Sequence, residues 1–274
     1  MYNTQKIFVL VCLPLTALLF IPVILQDLFW QPQPFLSLPF NQGTKFKITE
    51  GRRYSEEEKA IHGYSLHYGI DYALERNSPI LAPADGVAIA SFHLAFASKL
   101  GGSAVWNADE ARQYQGKFVG FGLGNFVQLW CQEQKVYVQL THLERVAESI
   151  PFYKPTKRGN GWDPTVLYQS VEQIIKVGKP VKRGDVLGFA GDSGCSWGYL
   201  EEPGKSRPAS KQYPSWDEVH VHLEVFQRGQ GYGKKMRFDP YGLDDQAPAY
   251  QQPDSKKPGF LWLTDPDGNI LHAK

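Results

Sequence analysis

Cysteine and methionine are scarce in this chain of 274 residues, with three of the first and two of the second. Three cysteines with no Cys-x-x-Cys pair exclude a small disulfide-stapled domain and a cysteine-built zinc ribbon. Any metal must therefore be held mainly by histidine and carboxylate. Net charge is also nearly absent, because 29 Lys+Arg face 28 Asp+Glu and leave a formal +1. That balance excludes bulk nucleic acid as an electrostatic partner. No solenoid-type repeat is present. What the sequence does have is 26 glycines and 19 prolines, which favour many short strands over long helices. With 42 % hydrophobic and 14 % aromatic residues, the chain is too apolar to stay open, and a packed core is expected.

One long uncharged run, Ile7 to Leu25, follows Lys6 and precedes Asp27. Its ~19 residues at ~1.5 Å each reach ~28 Å, about one hydrocarbon thickness. No small-x-small cleavage site follows it, so the run reads as an uncleaved signal anchor, with a long signal peptide as the alternative. The remainder of the chain is expected outside the cytoplasm, as an envelope protein in the periplasm or beyond it. The expected organisation is a transmembrane helix within 1–30, a stiff proline-rich spacer over 31–45, a main domain over 46–243 and a C-terminal extension over 244–274. That extension reads as a segment packed on the domain, or else as an extended tail.

Within the main domain, Pro79 to Ala90 reads as strand, Asp-Gly turn and strand, and Phe126–Trp130 with Val136–Leu140 reads as a hairpin. Val177 to Gly188 alternates apolar pairs with glycine turns, as compact all-β domains do. Two stretches are expected to be helical insertions. One begins at the capping box Asn107 to Glu110 and stops near Gly116, and the other opens at Asp163-Pro164.

The histidines carry the chemistry. Val219 to Val225 alternates without a break, so His220, His222 and Glu224 share one strand face, ~6.6 to 7 Å apart. An isolated pair of this kind is more often a solvated surface feature. His67 and Asp71 would stand ~13 Å apart on a straight strand, too far to share a metal whose donors sit ~2 Å away. Gly69 between them permits a bend. His142 follows Val136, Val138 and Leu140 at period two, which assigns it to their apolar face as a recessed imidazole useful for proton transfer. His62, His93 and His272 have no partner pattern.

Together these constellations resemble the M23 family of zinc metallopeptidases, the lysostaphin-type or LytM-like endopeptidases. The resemblance runs from about Tyr64 to Leu243. His67-Tyr68-Gly69-Ile70-Asp71 is similar to the first metal motif, Thr141-His142-Leu143 to the segment with a catalytic histidine, and His220-Val221-His222-Leu223-Glu224 to the second metal motif. Val181 to Gly188 and Gly191-Asp192-Ser193-Gly194 resemble a glycine-rich hairpin and loop, and Phe238-Asp239-Pro240 the exit. Leu140 and the insertions over 94–120, 147–173 and 197–217 depart from the family pattern.

The resemblance implies an antiparallel two-layer β-sheet domain with short helical insertions and its site in a groove. It implies one Zn²⁺ per chain, bound by His67, Asp71 and His222, with His142 and His220 catalytic and their division of labour open. It implies hydrolysis of peptide bonds in peptidoglycan, whose stems or cross-bridges would be the partner, reached from the membrane through the N-terminal helix. The competing expectation is a zinc-free envelope regulator that activates a separate wall hydrolase, and such a protein would have lost one or more ligand residues. A carrier or phosphotransfer domain is a third reading, disfavoured by export and by Asp71. Cys131 and Cys195, the cysteines of the exported part, are expected to remain unpaired.

Overall fold

A computed structural model of the chain describes residues 33–56, 59, 65–96, 104–105, 120–153, 171–194, 219–228, 235–251 and 254–274. The short apolar runs between glycine and proline turns become strands β1 (Lys47–Glu50), β2 (Ile70–Ala73), β3 (Pro79–Leu81), β4 (Gly86–Phe96), β5 (Ala104–Val105), β6 (Gly120–Cys131) and β7 (Val136–Val146). Helix α1 (Val171–Val177) follows, then β8 (Lys179–Val181), β9 (Val186–Ala190), β10 (His220–Arg228), β11 (Lys235–Phe238) and a 3-10 turn, Ala247–Gln251.

The central strands run in the order β1-β2-β10-β7-β6-β4-β5, and every ladder is antiparallel. Among the described residues all eleven strands belong to one hydrogen-bonded sheet, in which β9 bonds to both β3 and β7. The expected β6–β7 hairpin is present, with Trp130 opposite Tyr137. The strands on either side of the Asp85-Gly86 turn do not pair with each other. β3 joins β9 and β4 joins β6 and β8, since the connection bonds elsewhere: Leu81 N donates to Pro39 O and Ala82 N to Asp185 O.

Register sorts the side chains into two faces. His222 lies opposite Asp71 on β2 and Thr141 on β7, Glu224 opposite Gln139, and Phe226 opposite Tyr137. One face therefore carries histidines at one end and a buried polar strip in the middle. There Gln128 Nε2 donates to Gln139 Oε1, Gln139 Nε2 to Glu224 Oε2 at 3.3 Å, and Arg237 Nε to Glu224 Oε1 at 2.5 Å. Pairing of these buried groups offsets the cost of removing them from water. At the far end Trp130, Tyr137 and Phe226 pack with Ile174 of α1. The other face presents Leu129, Val138, Leu140, Leu223 and Val225, all fully buried.

Residues 35–40 correct the spacer expectation from Phe35 onward. Leu36 and Phe40 are fully buried, Leu36 bridges in parallel to Trp262, and Leu38 to His272. Four apolar side chains, Phe35, Leu36, Leu38 and Phe40, gain more by burial than a solvated spacer allows. The C-terminal segment is likewise woven into the domain, with Leu261 and Trp262 buried and Tyr241 bridged to Phe260. His272 sits edge-on to Phe40, and His93 is buried. The apolar run 7–25, His62, Cys195 and the helical stretches expected near 107–116 and 163–170 lie outside the described residues. Among the described residues no helix is long and apolar enough to cross a membrane.

Candidate metal and proton-transfer site

Four elements converge at the histidine end of the sheet. Asp71 and His222 face each other across the β2–β10 ladder, with His222 Nδ1 2.8 Å from Asp71 Oδ1. His67 precedes β2, where the backbone has not yet entered the strand; its amide donates to Arg52 O, and its Nδ1–H donates to Gly51 O at 2.8 Å. That bond fixes the tautomer and leaves Nε2 as the donor nitrogen, 3.5 Å from Asp71 Oδ2. The turn before the strand thus closes the gap that a straight strand would leave. Gly69 has a second role here: a Cβ at 69 would lie 2.6 Å from His222 Nε2 and 2.4 Å from Leu223 O, so its hydrogen lets the imidazole ring lie against the backbone.

One donor atom from each of His67, Asp71 and His222 lies within 4.8 Å of the others, and all three residues are buried. Burial pushes the His67 imidazole down to about 4, a shift that the Asp71 carboxylate opposes. Burial alone would raise Asp71, but the imidazoles of His67, His220 and His222 outweigh it and hold the carboxyl well below its usual range. Two imidazoles and a carboxylate, buried and convergent, are the donor set a catalytic divalent zinc takes, and the residues fit that ion.

His142 departs from the period-two expectation. Val127 pairs with Leu140 and Asn125 with Leu143, so Thr141 and His142 together oppose the single residue Phe126. This is a β-bulge, and His142 adopts the left-handed conformation with φ 63°. The extra residue turns His142 away from the apolar face of Leu140 and toward His220 and His222, with ring centroids 4.8 and 6.1 Å away. Its Nδ1–H donates to Ser193 O at 3.0 Å, which makes Nε2 the basic nitrogen. Burial, reinforced by the neighbouring imidazoles, keeps its proton affinity well below that of an ordinary histidine. His220, buried, places Nε2 3.8 Å from Asp71 Oδ2. The five histidine and aspartate positions singled out in the sequence are therefore in one cluster.

Sequence reading missed the supporting groups. Thr141 Oγ1 is buried beside His222 with no hydrogen-bond partner among the described residues. Ser193 and Asn125, distant in the chain, clasp the bulge; the segments Gly124 to Val127 and Gly191 to Gly194 carried them in the resemblance, without a role.

No protein-family model matches the sequence, and no curated protein sequence matches it. Among solved structures, the catalytic domain of a mutant of the prophage-encoded M23 protein EnpA from Enterococcus faecalis is 17 % identical. It aligns over 72 % of this chain and 98 % of its own, with a TM-score of 0.35. The catalytic domain of the antimicrobial peptidase lysostaphin from Staphylococcus simulans is 14 % identical over 73 % of this chain and 92 % of its own, with a TM-score of 0.35. A zinc containing peptidase from Vibrio cholerae is 16 % identical over 71 % of this chain and 37 % of its own, again with a TM-score of 0.35. The chain is similar in structure to M23 peptidases. The functional reading stands on the cluster itself.

Proposed function

We propose that this chain is a zinc-dependent endopeptidase that hydrolyses peptide bonds of peptidoglycan, held at the cell envelope by its N-terminal apolar segment with the domain outside the cytoplasm. The observation that carries the reading is the convergence of His67, Asp71 and His222 on one buried point with His142 and His220 beside them. The order and identity of the motifs support the M23-type substrate. A regulator that had dispensed with zinc would have no reason to keep all three ligand types in register.

When bound, zinc supplies Lewis-acid chemistry that activates a water and a scissile carbonyl. His67 would hold it through Nε2, Asp71 through a carboxylate oxygen and His222 through Nδ1. The chain's other groups do the proton work. His142 stays neutral by burial, so its Nε2 is ready to accept the proton of the attacking water, while Ser193 O holds the opposite nitrogen as a donor. His220 and His142 together stabilise the oxyanion and return the proton to the leaving amine.

The test is release of peptide amines from purified peptidoglycan by the zinc-loaded protein, a chelator-treated control and the variants His142→Ala and His220→Ala. Both variants are expected to keep about one zinc per chain and lose ~10²- to 10⁴-fold in turnover. Zinc-loaded wild-type protein that releases nothing from any wall type, yet stimulates a separate hydrolase, refutes the peptidase reading in favour of the regulator.

A further inference from the structure

The turn Gly191–Gly194 touches both catalytic candidates at once. Gly191 O accepts the backbone N–H of His220 at 3.1 Å, and two residues later Ser193 O accepts the Nδ1–H of His142 at 3.0 Å. A shift of this turn by a fraction of an ångström therefore moves both imidazoles relative to the ligands. Further hydrogen bonds hold it and the strand beside it. Ser193, which is buried, donates its Oγ–H to Leu143 O at 2.5 Å and accepts the Asn125 N–H at 2.9 Å. Asn125 Nδ2 donates to the carbonyls of Leu143 and Glu144, each at 3.1 Å, which pins the strand just beyond the bulge. Gly194 O accepts from Gly122 N at 3.1 Å. Gly124 is at φ 60°, and a Cβ there would sit 2.1 Å from Ser193 O, so the two backbones meet without room for a side chain.

The outermost contact comes from the surface. Arg76, in the turn after β2, makes a two-pronged pair with Asp192, Nη1 to Oδ1 at 3.0 Å and Nη2 to Oδ2 at 2.6 Å, and Nη1 also meets Glu144 Oε2. Its backbone is fixed in turn, since Asn77 N donates to Ala190 O and Ala190 N to Ser78 O, both at 2.9 Å. Arg76 thus bridges the residue before Ser193 to the second residue after His142. A planar guanidinium suits this task, because two parallel bonds set orientation as well as distance. Isolated surface pairs contribute little to stability, so this geometry matters chiefly for placement. A left-handed, non-glycine histidine is strained and persists only where its surroundings hold it.

The geometry points to Ser193 and Arg76 as positioning residues: Ser193 clamps the His142 bulge from inside, and Arg76 pins the same turn from the surface, so that His142 and His220 are held in one fixed relation to the metal ligands. The activity arm of the test rests on the peptidase reading; a second arm does not. With the full zinc-loaded chain, Ser193→Ala should lower kcat by ~100-fold and Arg76→Gln by ~10-fold, with KM and zinc content unchanged, on the scale known for groups that orient catalytic ones. Ser193→Thr, which keeps the hydroxyl, should restore most of the loss, and Arg76→Lys, which lacks the fork, should not. Independently, ¹⁵N shifts of histidine-labelled protein should show His142 protonated at Nδ1 in the wild type and a tautomer mixture in both variants. Because Arg76 acts from the surface, its variants keep the fold if Ser193→Ala does not. The proposal is overturned if His142 keeps its wild-type tautomer in Arg76→Gln, or in Ser193→Ala where that variant folds, or if kcat stays within about twofold in either. Should wild-type protein hydrolyse nothing, the peptidase reading fails, and the tautomer alone decides the clamp.

Discussion

The His67 imidazole, pushed down from 6.5 to about 4 by burial, makes the metal-free protein acid-sensitive. Between those pH values an unfolded chain binds a proton at this position and the folded one does not. Stability therefore rises with pH through the window and falls as pH drops from about 6.5 to about 4, by on the order of 3 kcal/mol in total. Chemical denaturation of chelator-treated protein at pH 7 and pH 5 measures this, and His67→Gln should reduce the difference, leaving the part that buried His142 contributes; an unchanged difference would remove His67 as a cause. Cys131 gives a simpler expectation. Burial pushes its thiol up to about 12, and it is a free, fully buried cysteine. It should resist alkylation at pH 8 while the protein is folded and react fully in denaturant. The candidate ligands were legible in the sequence as a cluster because alternation on β10 fixed the faces of His220 and His222, and the motif placed His67 next to Asp71. His142 was identified but assigned to the wrong face, because a bulge that adds one residue reverses a period-two inference and leaves no mark in the local composition.

At the scale of elements, the site depends on how closely the approach to β2 lies against β10. Gly69→Ala introduces a methyl 2.4 Å from Leu223 O and 2.6 Å from the His222 ring, a contact that only a shift of one backbone can relieve. The expected result is zinc affinity reduced by ~10-fold or more, read by competition with a chromogenic chelator, with the far end of the sheet intact. Wild-type affinity in Gly69→Ala would mean that the site does not depend on this close approach. Hairpin β6–β7 was legible since its two runs are adjacent and β-rich, whereas the partnership of β3 with β9 was not. It joins segments separated by about a hundred positions and is decided by where the 82–85 connection finds its hydrogen bonds. Helix α1, beginning at Val171, buries Ile174 against the aromatic end of the site face. The expected opening at Asp163 lies outside the described residues.

At the scale of the whole molecule, both ends of the described chain close the domain. Residues 35–40 and 260–273 pair with each other: Phe35 and Leu36 N–H groups donate to Leu261 O, Leu263 N to Leu36 O, Leu38 N to Leu271 O and Ala273 N to Leu38 O. Phe40 meets Tyr72 of β2 edge-on at 5.7 Å, and the Tyr72 hydroxyl bonds to that of Tyr241 at 2.9 Å, so this layer lies directly behind the strand that carries Asp71. A proline-rich spacer would be dispensable; a strand-like layer under the site is not. Trp262→Ala removes a side chain only 1 % exposed and should destabilise by ~3 to 5 kcal/mol. A protein beginning at Asn41 loses Phe35, Leu36, Leu38 and Phe40 together and should melt well below one beginning at Gln33, with zinc retention falling in parallel because Asp71 loses its support. Thermal unfolding of the two, each with and without zinc, makes the comparison. Equal melting temperatures would return residues 35–40 to the role of a linker. Loss of stability without loss of zinc would show instead that the β2–β10 ladder holds the ligands without the layer behind it.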